Sequence, residues 1–137
     1  MARDRWSDLC DRCSSQGYDS LSRQEKAWLN IRALIDSIQN GGAISYFYNS
    51  GADRFADCLE DLRVLKADYV RANVERVAKL FPNQVPTGID ARNAIIESWS
   101  DGEFDALLEE IDDELMPLMS SLEEELRKYL ERNGLAS

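Results

Sequence analysis

Cys10 and Cys13 form a CxxC pair, a spacing shared by dithiol redox centres and by half of a structural zinc site. A thioredoxin-like centre needs a βαβ setting, and structural zinc needs four cysteine or histidine ligands. The chain offers only Cys58 as a further cysteine and has no histidine at all. Two small apolar residues one helical turn apart on a packing face is therefore the better reading of the pair. The missing histidine also removes His-based catalysis, His metal sites and a histidine pH switch.

A second pattern is carboxylate. Glu109, Glu110, Asp112 and Asp113 contain two overlapping ExxD spacings, similar to the paired motifs with which helical nucleotide pyrophosphohydrolases hold Mg²⁺. Such sites point into a bundle. At 100° per residue, however, Phe104, Leu107, Leu108, Ile111 and Leu115 share a narrow arc, while Asp105, Glu109, Glu110, Asp112, Asp113 and Glu114 take the rest of the circumference. The acids are expected to face outward. There is no phosphate loop, Gly-rich fingerprint, EF-hand loop or nucleophile elbow. No catalytic residue, metal ligand or cofactor is expected. Tyr46, Phe47 and Tyr48 could stack on a base only beside a basic groove, and none is apparent, so they are assigned to the core.

Charge is concentrated where the acids are. The net charge is −10, and the sequence pI of about 4.5 argues against direct binding to nucleic acid or an anionic membrane. Residues 101–137 hold twelve acidic and three basic side chains, a net −9, whereas residues 1–100 are almost balanced. Two readings stand. A solvated face keeps the protein in solution, or rows of carboxylates about 5 to 6 Å apart on helices imitate phosphates and engage a basic DNA-binding protein. On the second reading the candidate contact residues are Asp105, Glu109, Glu110, Asp112, Asp113, Glu114, Glu123, Glu124 and Glu125, with a secondary patch at Asp53, Asp57, Glu60 and Asp61.

These side chains are carried by helices. Glycine and proline divide the chain into helix-length pieces with a 3.6-residue apolar period, which predicts an all-α bundle of about seven helices in one domain. A first helix is expected from about Arg3 to Cys13, broken by Gly17. Ser22 and Glu25 form a capping box for a second, with Trp28, Ile31, Leu34, Ile35 and Ile38 as its stripe. Asn40, Gly41 and Gly42 stop that helix, and a short aromatic one follows to near Asn49. Asp53 is read as the cap of a helix bearing Phe55, Cys58, Leu59, Leu62 and Leu65. Val70, Val74, Val77 and Phe81 mark the next, and Pro82 and Pro86 bracket a loop. Asp90 starts a helix through Ile95, Ile96 and Trp99. After the acidic helix, Pro117 ends or kinks the chain, and Ser121 with Glu124 is expected to cap a last helix carrying Leu122, Leu126, Tyr129 and Leu130. The first residues include Arg3, Asp4, Arg5 and Asp8 in place of an apolar leader, and no stretch is apolar enough to span a membrane. With an odd number of cysteines, a reducing, cytoplasmic setting is expected.

Asn40, Gly41 and Gly42 followed by Tyr46, Phe47 and Asn49, then Leu59, Leu65, Lys66 and Ala67, then Phe81, Pro82, Val85, Pro86 and Arg92, and finally Phe104, Leu107, Tyr129 and Asn133, resemble the pattern of the DNA-mimic protein family. The likeness covers residues 21–133. It leaves residues 1–20 as an N-terminal extension that includes the CxxC pair, and residues 134–137 as a tail. The Asn-Gly-Gly-aromatic turn is its most specific piece. The resemblance implies an acidic helical domain, often dimeric, that occupies the DNA-binding surface of a transcription regulator. Its motif residues are structural in character, so no partner contact carries over residue by residue. Relatives tend to have Leu-Asp and an aromatic pair in the penultimate helix, where this chain has Leu107, Leu108 and Ile111. Competing readings are a small helical Mg²⁺-dependent nucleotide hydrolase and an immunity or regulatory protein that binds a basic toxin.

Overall fold

In a computed structural model, which describes residues 5–135, the chain is all-α. Eight α-helices run in order among the described residues: α1 (Arg5–Gln16), α2 (Arg23–Gly41), α3 (Ala43–Tyr48), α4 (Phe55–Val64), α5 (Asp68–Ala78), α6 (Ile89–Ser98), α7 (Asp105–Leu115) and α8 (Met119–Arg132). Short 3₁₀ turns at Tyr18–Ser20, Ser50–Arg54 and Met116–Leu118 join some of them. Arg3, the expected start of the first helix, and residues 136–137 of the expected tail lie outside the described residues.

Helix α2 is the axis, packed against α1, α3, α4 and α8. Its start is fixed by the predicted capping box. Glu25 N–H donates to Ser22 Oγ at 3.1 Å, and Ser22 N–H donates to Glu25 Oε1 at 2.9 Å. The stripe Ile31, Leu34, Ile35 and Ile38 is fully buried and shares one core with Tyr46 and Phe47 of α3, Leu62 of α4, Val74 and Val77 of α5, Ile111 and Leu115 of α7 and Leu126 of α8. Helix α1 sits apart, on a small cluster of Leu9, Tyr18 and Leu21 with Trp6 and Trp28, whose rings lie 5.6 Å apart. Cys13 packs there, and all three cysteines are thiols.

At the end of α2, Gly42 has φ 84° and ψ 176°, a conformation essentially reserved for glycine. A Cβ on it would come within 2.4 Å of Asp112 Oδ2. The glycine thus serves the turn and a close approach at once.

Two expected caps are corrected. Asp53 does not cap α4: it lies in the Ser50–Arg54 turn and its carboxylate meets Arg92 at 2.8 Å. Ser121 does not cap α8, which already begins at Met119. The Met116–Leu118 turn feeds directly into that helix, and Met119 N–H donates to the Met116 carbonyl. Ser121 is inside the helix and lacks the extended backbone of a cap residue.

Arg92 of α6 is the one wholly buried cation among the described residues. It donates to the carbonyls of Phe47, Asn49 and Pro86 at 2.9 to 3.0 Å, and to Asp53. A single guanidinium thereby ties α3, the turn after it and the proline loop to α6, and each of these contacts is hydrogen-bonded, as a buried charge requires.

Candidate functional site

Helix α7 buries one edge and exposes the other. Ile111 and Leu115 are fully buried, while Phe104, Leu107 and Leu108 are half-buried on the same stripe. On one side α7 packs on α5, on the other on α3. Each flank captures some of its carboxylates. On the α5 flank, Arg76 donates to Glu110 and to Glu114, both at 2.6 Å. On the α3 flank, the half-buried Asp112 accepts the N–H of Ala43 at 2.8 Å. Asp112 is thus corrected from a surface acid to a structural one: it satisfies an N–H at the first turn of a helix, where no helical carbonyl is available.

Among the described residues three of the nine acids singled out from the sequence have neither an ion pair nor a hydrogen-bond partner: Asp105, Glu109 and Asp113 of α7, all exposed. They are spaced i, i+4, i+8, so they lie within an arc of about 80° and rise about 6 Å from one to the next. The result is a straight ridge of bare charge. Asp101 and Glu103, exposed in the turn before α7, extend the acidic run, and Glu103 accepts the Ser100 N–H at 3.1 Å.

The acids of α8 fare differently. Glu123 receives Arg32 of α2 at 2.8 Å, Glu124 is bridged by Arg127, and Glu125 lies 3.5 Å from Lys128. Arg127 also reaches Glu131. Arg127 holds the Glu124 carboxyl below its ordinary pKa, and its own is raised in return. These side chains are exposed but matched.

In the secondary patch Glu60 is exposed, Asp53 and Asp57 are half-buried and Asp61 is buried, and each has a partner. Asp53 is turned to Arg92, and Asp57 accepts the Tyr18 hydroxyl at 2.6 Å. Glu60 pairs with Arg63 at 2.5 Å. Asp61 is buried at 2% exposure, where it accepts from Asn30 at 3.0 Å and meets Arg23 at 2.5 Å. Burial pushes its carboxyl up to about 6, against the bonds from Asn30 and Arg23. The raised value favours folding with the proton on. The stability it contributes is complete below the unfolded pKa and is lost as pH rises through about 6.

The sequence assigns Tyr48 to the core with Tyr46 and Phe47, and runs a helix through Trp99. The helix stops at Ser98, and Trp99 stands half-buried as the third of four rings in a line. Phe47 to Phe81 is 5.6 Å, Phe81 to Trp99 5.7 Å, and Trp99 to Phe104 4.8 Å edge to face. Tyr48 is 39% exposed. Periodicity could have hinted at this, because Tyr46 and Phe47 already fill the inward side of a six-residue helix.

Among the described residues no group of three or more histidine, cysteine, aspartate or glutamate side chains is placed to hold a metal. No described helix is long and apolar enough to cross a membrane. The arrangement is that of a small all-α acidic domain with a ridge of unmatched carboxylates on its penultimate helix. The family profile described as DMP19-like protein matches residues 19–133, from just before α2 through α8, and the chain belongs to that family. No curated protein and no solved structure matches it.

Proposed function

We propose that this protein is an acidic binding module that mimics DNA and occupies the DNA-binding surface of a basic partner, such as a cytoplasmic transcription regulator. The ridge of Asp105, Glu109 and Asp113 carries the reading. It is rigidly mounted, it faces solvent, and its charge is not consumed by neighbouring cations. Membership of the DMP19-like family supports it, as does the resemblance of the glycine turn and aromatic motif to DNA-mimic proteins. A Mg²⁺ hydrolase fares worse, because Asp112 and Glu110 of the ExxD spacings are engaged by Ala43 and Arg76 and do not point into a shared cavity.

The test is capture at low salt from the native cell, followed by competition. A captured basic protein should release a labelled DNA duplex, read by fluorescence anisotropy, as this chain is added. Binding should weaken steeply with salt, since exposed charges are screened over about 8 Å at physiological ionic strength. A ternary complex in which DNA stays bound would overturn the proposal.

A further inference from the structure

Beside the N-terminal end of the ridge lies a groove of 250 Å³ between α3, α6 and α7. Tyr48, Trp99, Phe104 and Leu108 are among its apolar lining, and Asp101 and Asp105 are among its rim. Glu103 is also at its edge, and no lysine or arginine lines it. Four other grooves among the described residues each mix signs: Arg54 and Lys79 face Asp53, Asp57 and Glu75 in one, Lys66 faces Asp68 and Glu125 in the next, Arg32 and Arg127 face Glu123 and Glu124 in a third, and Arg5 and Arg12 face Asp8 and Glu25 in the last. This groove alone of the five combines aromatic walls with uncompensated carboxylates.

We infer that the groove is a subsite for one arginine side chain of the basic partner, with the aliphatic stem against Leu108 and Phe104, the guanidinium over the Tyr48 and Trp99 rings, and its N–H groups toward Asp101 and Asp105. The flat, weakly hydrated guanidinium stacks on aromatic faces and offers a fork of donors to carboxylates, which a compact ammonium does not match. The inference rests on the proposed function and deepens it. The ridge supplies the long-range, salt-sensitive attraction of a phosphate row, whereas the groove supplies an apolar anchor that phosphates lack. Asp105 belongs to both, so the anchor would fix the register of the partner along the ridge.

The experiment uses the intact chain and a small probe, N-acetyl-arginine amide, titrated while the three tryptophan indole N–H signals are followed by NMR. A saturable shift confined to Trp99 is expected, and the neutral isostere N-acetyl-citrulline amide should produce none. Tyr48→Ala removes an exposed ring and Asp101→Asn a rim charge; each should weaken the probe by about threefold or more. Glu109→Gln with Asp113→Asn, which leaves the groove whole, should change it by less than about twofold. A Trp99 shift abolished by the Glu109 and Asp113 changes but indifferent to Tyr48→Ala would overturn the subsite while leaving the ridge reading intact. Absence of any Trp99 shift would also overturn it. Failure of DNA competition by the full chain, with arginine still bound at Trp99, would count against the mimicry alone.

Discussion

Helices α7 and α8 are both acid-rich in sequence, yet they differ in how their charge is matched. Residues 101–118 carry eight acids and no base, while residues 119–137 carry four acids and three bases. On α8 the bases sit three or four positions from the acids and bridge them along the same helix face. Among the described residues the one cation paired with α7 comes from outside, Arg76 of α5, and it reaches one flank. The acids on α8 chiefly support their own helix. Those on the α7 ridge repel one another at i, i+4, an arrangement that costs stability and gains something only when a positive surface arrives.

The largest disturbance of this contrast should come from Gly42→Ala. It places a Cβ against Asp112 and imposes a glycine-only backbone on alanine, at a cost of about 1–3 kcal/mol, read as a lowered midpoint in urea or thermal unfolding. A midpoint unchanged from the parent would show that the contact between α3 and α7 carries no stability.

Next in size is a pair of triple variants. Asp105→Asn with Glu109→Gln and Asp113→Asn should weaken a basic partner about tenfold, on the basis of a few tenths to 1 kcal/mol for each exposed charge pair. The matched set Glu123→Gln, Glu124→Gln and Glu125→Gln should change affinity by less than about threefold. Equal losses would erase the distinction between the helices and favour a diffuse acidic surface.

The same two variants should move thermal stability in opposite directions. Removing like charges at i, i+4 on α7 relieves about 0.2–0.5 kcal/mol per pair and raises the midpoint. Dismantling the α8 pairs leaves Arg127 with Glu131 alone, takes Glu125 from Lys128 and Glu123 from Arg32, and lowers it. Calorimetry of the two variants at low salt checks the sign, and the difference should fade at high salt.

The smallest effect is expected from Arg76→Gln. It frees Glu110 and Glu114, broadens the bare face of α7, and should tighten a basic partner by less than about threefold with a slight fall in stability. Weaker binding would mean that Arg76 itself contacts the partner or that α7 shifts without it.

The sequence exposed most of the fold because its signals were local. The Ser22 and Glu25 box, the Gly42 turn and the Pro82 to Pro86 loop are each written within a few residues, and the structure has them where the spacing puts them. The candidate site was only partly legible. The pairing of Glu124 with Arg127 is visible at i, i+3, so its neutralisation could have been read directly. Capture of Glu110 by Arg76, of Asp112 by Ala43 and of Asp53 by Arg92 joins residues 34, 69 and 39 positions apart. Helical periodicity says which side of a helix is polar, but not which neighbour stands opposite it. Asp61 shows the same limit: its polar type argued for the surface, while Asn30 and Arg23 from α2 made its burial tolerable.

The hydrogen bond from Ala43 to Asp112 has a further consequence for α7. The stripe beneath that helix is only partly buried at its N-terminal end, and a greasy contact alone permits a cylinder to roll. A single polar tooth engaged with a neighbouring turn indexes the rotation, and every other carboxylate is then set in azimuth by the helical repeat. Because the tooth meshes beside Gly42, a residue with no side chain, there is little room for play. The ridge therefore meets its counterpart already phased, and the orientational entropy of aligning three charges is spent during folding and not at the moment of association.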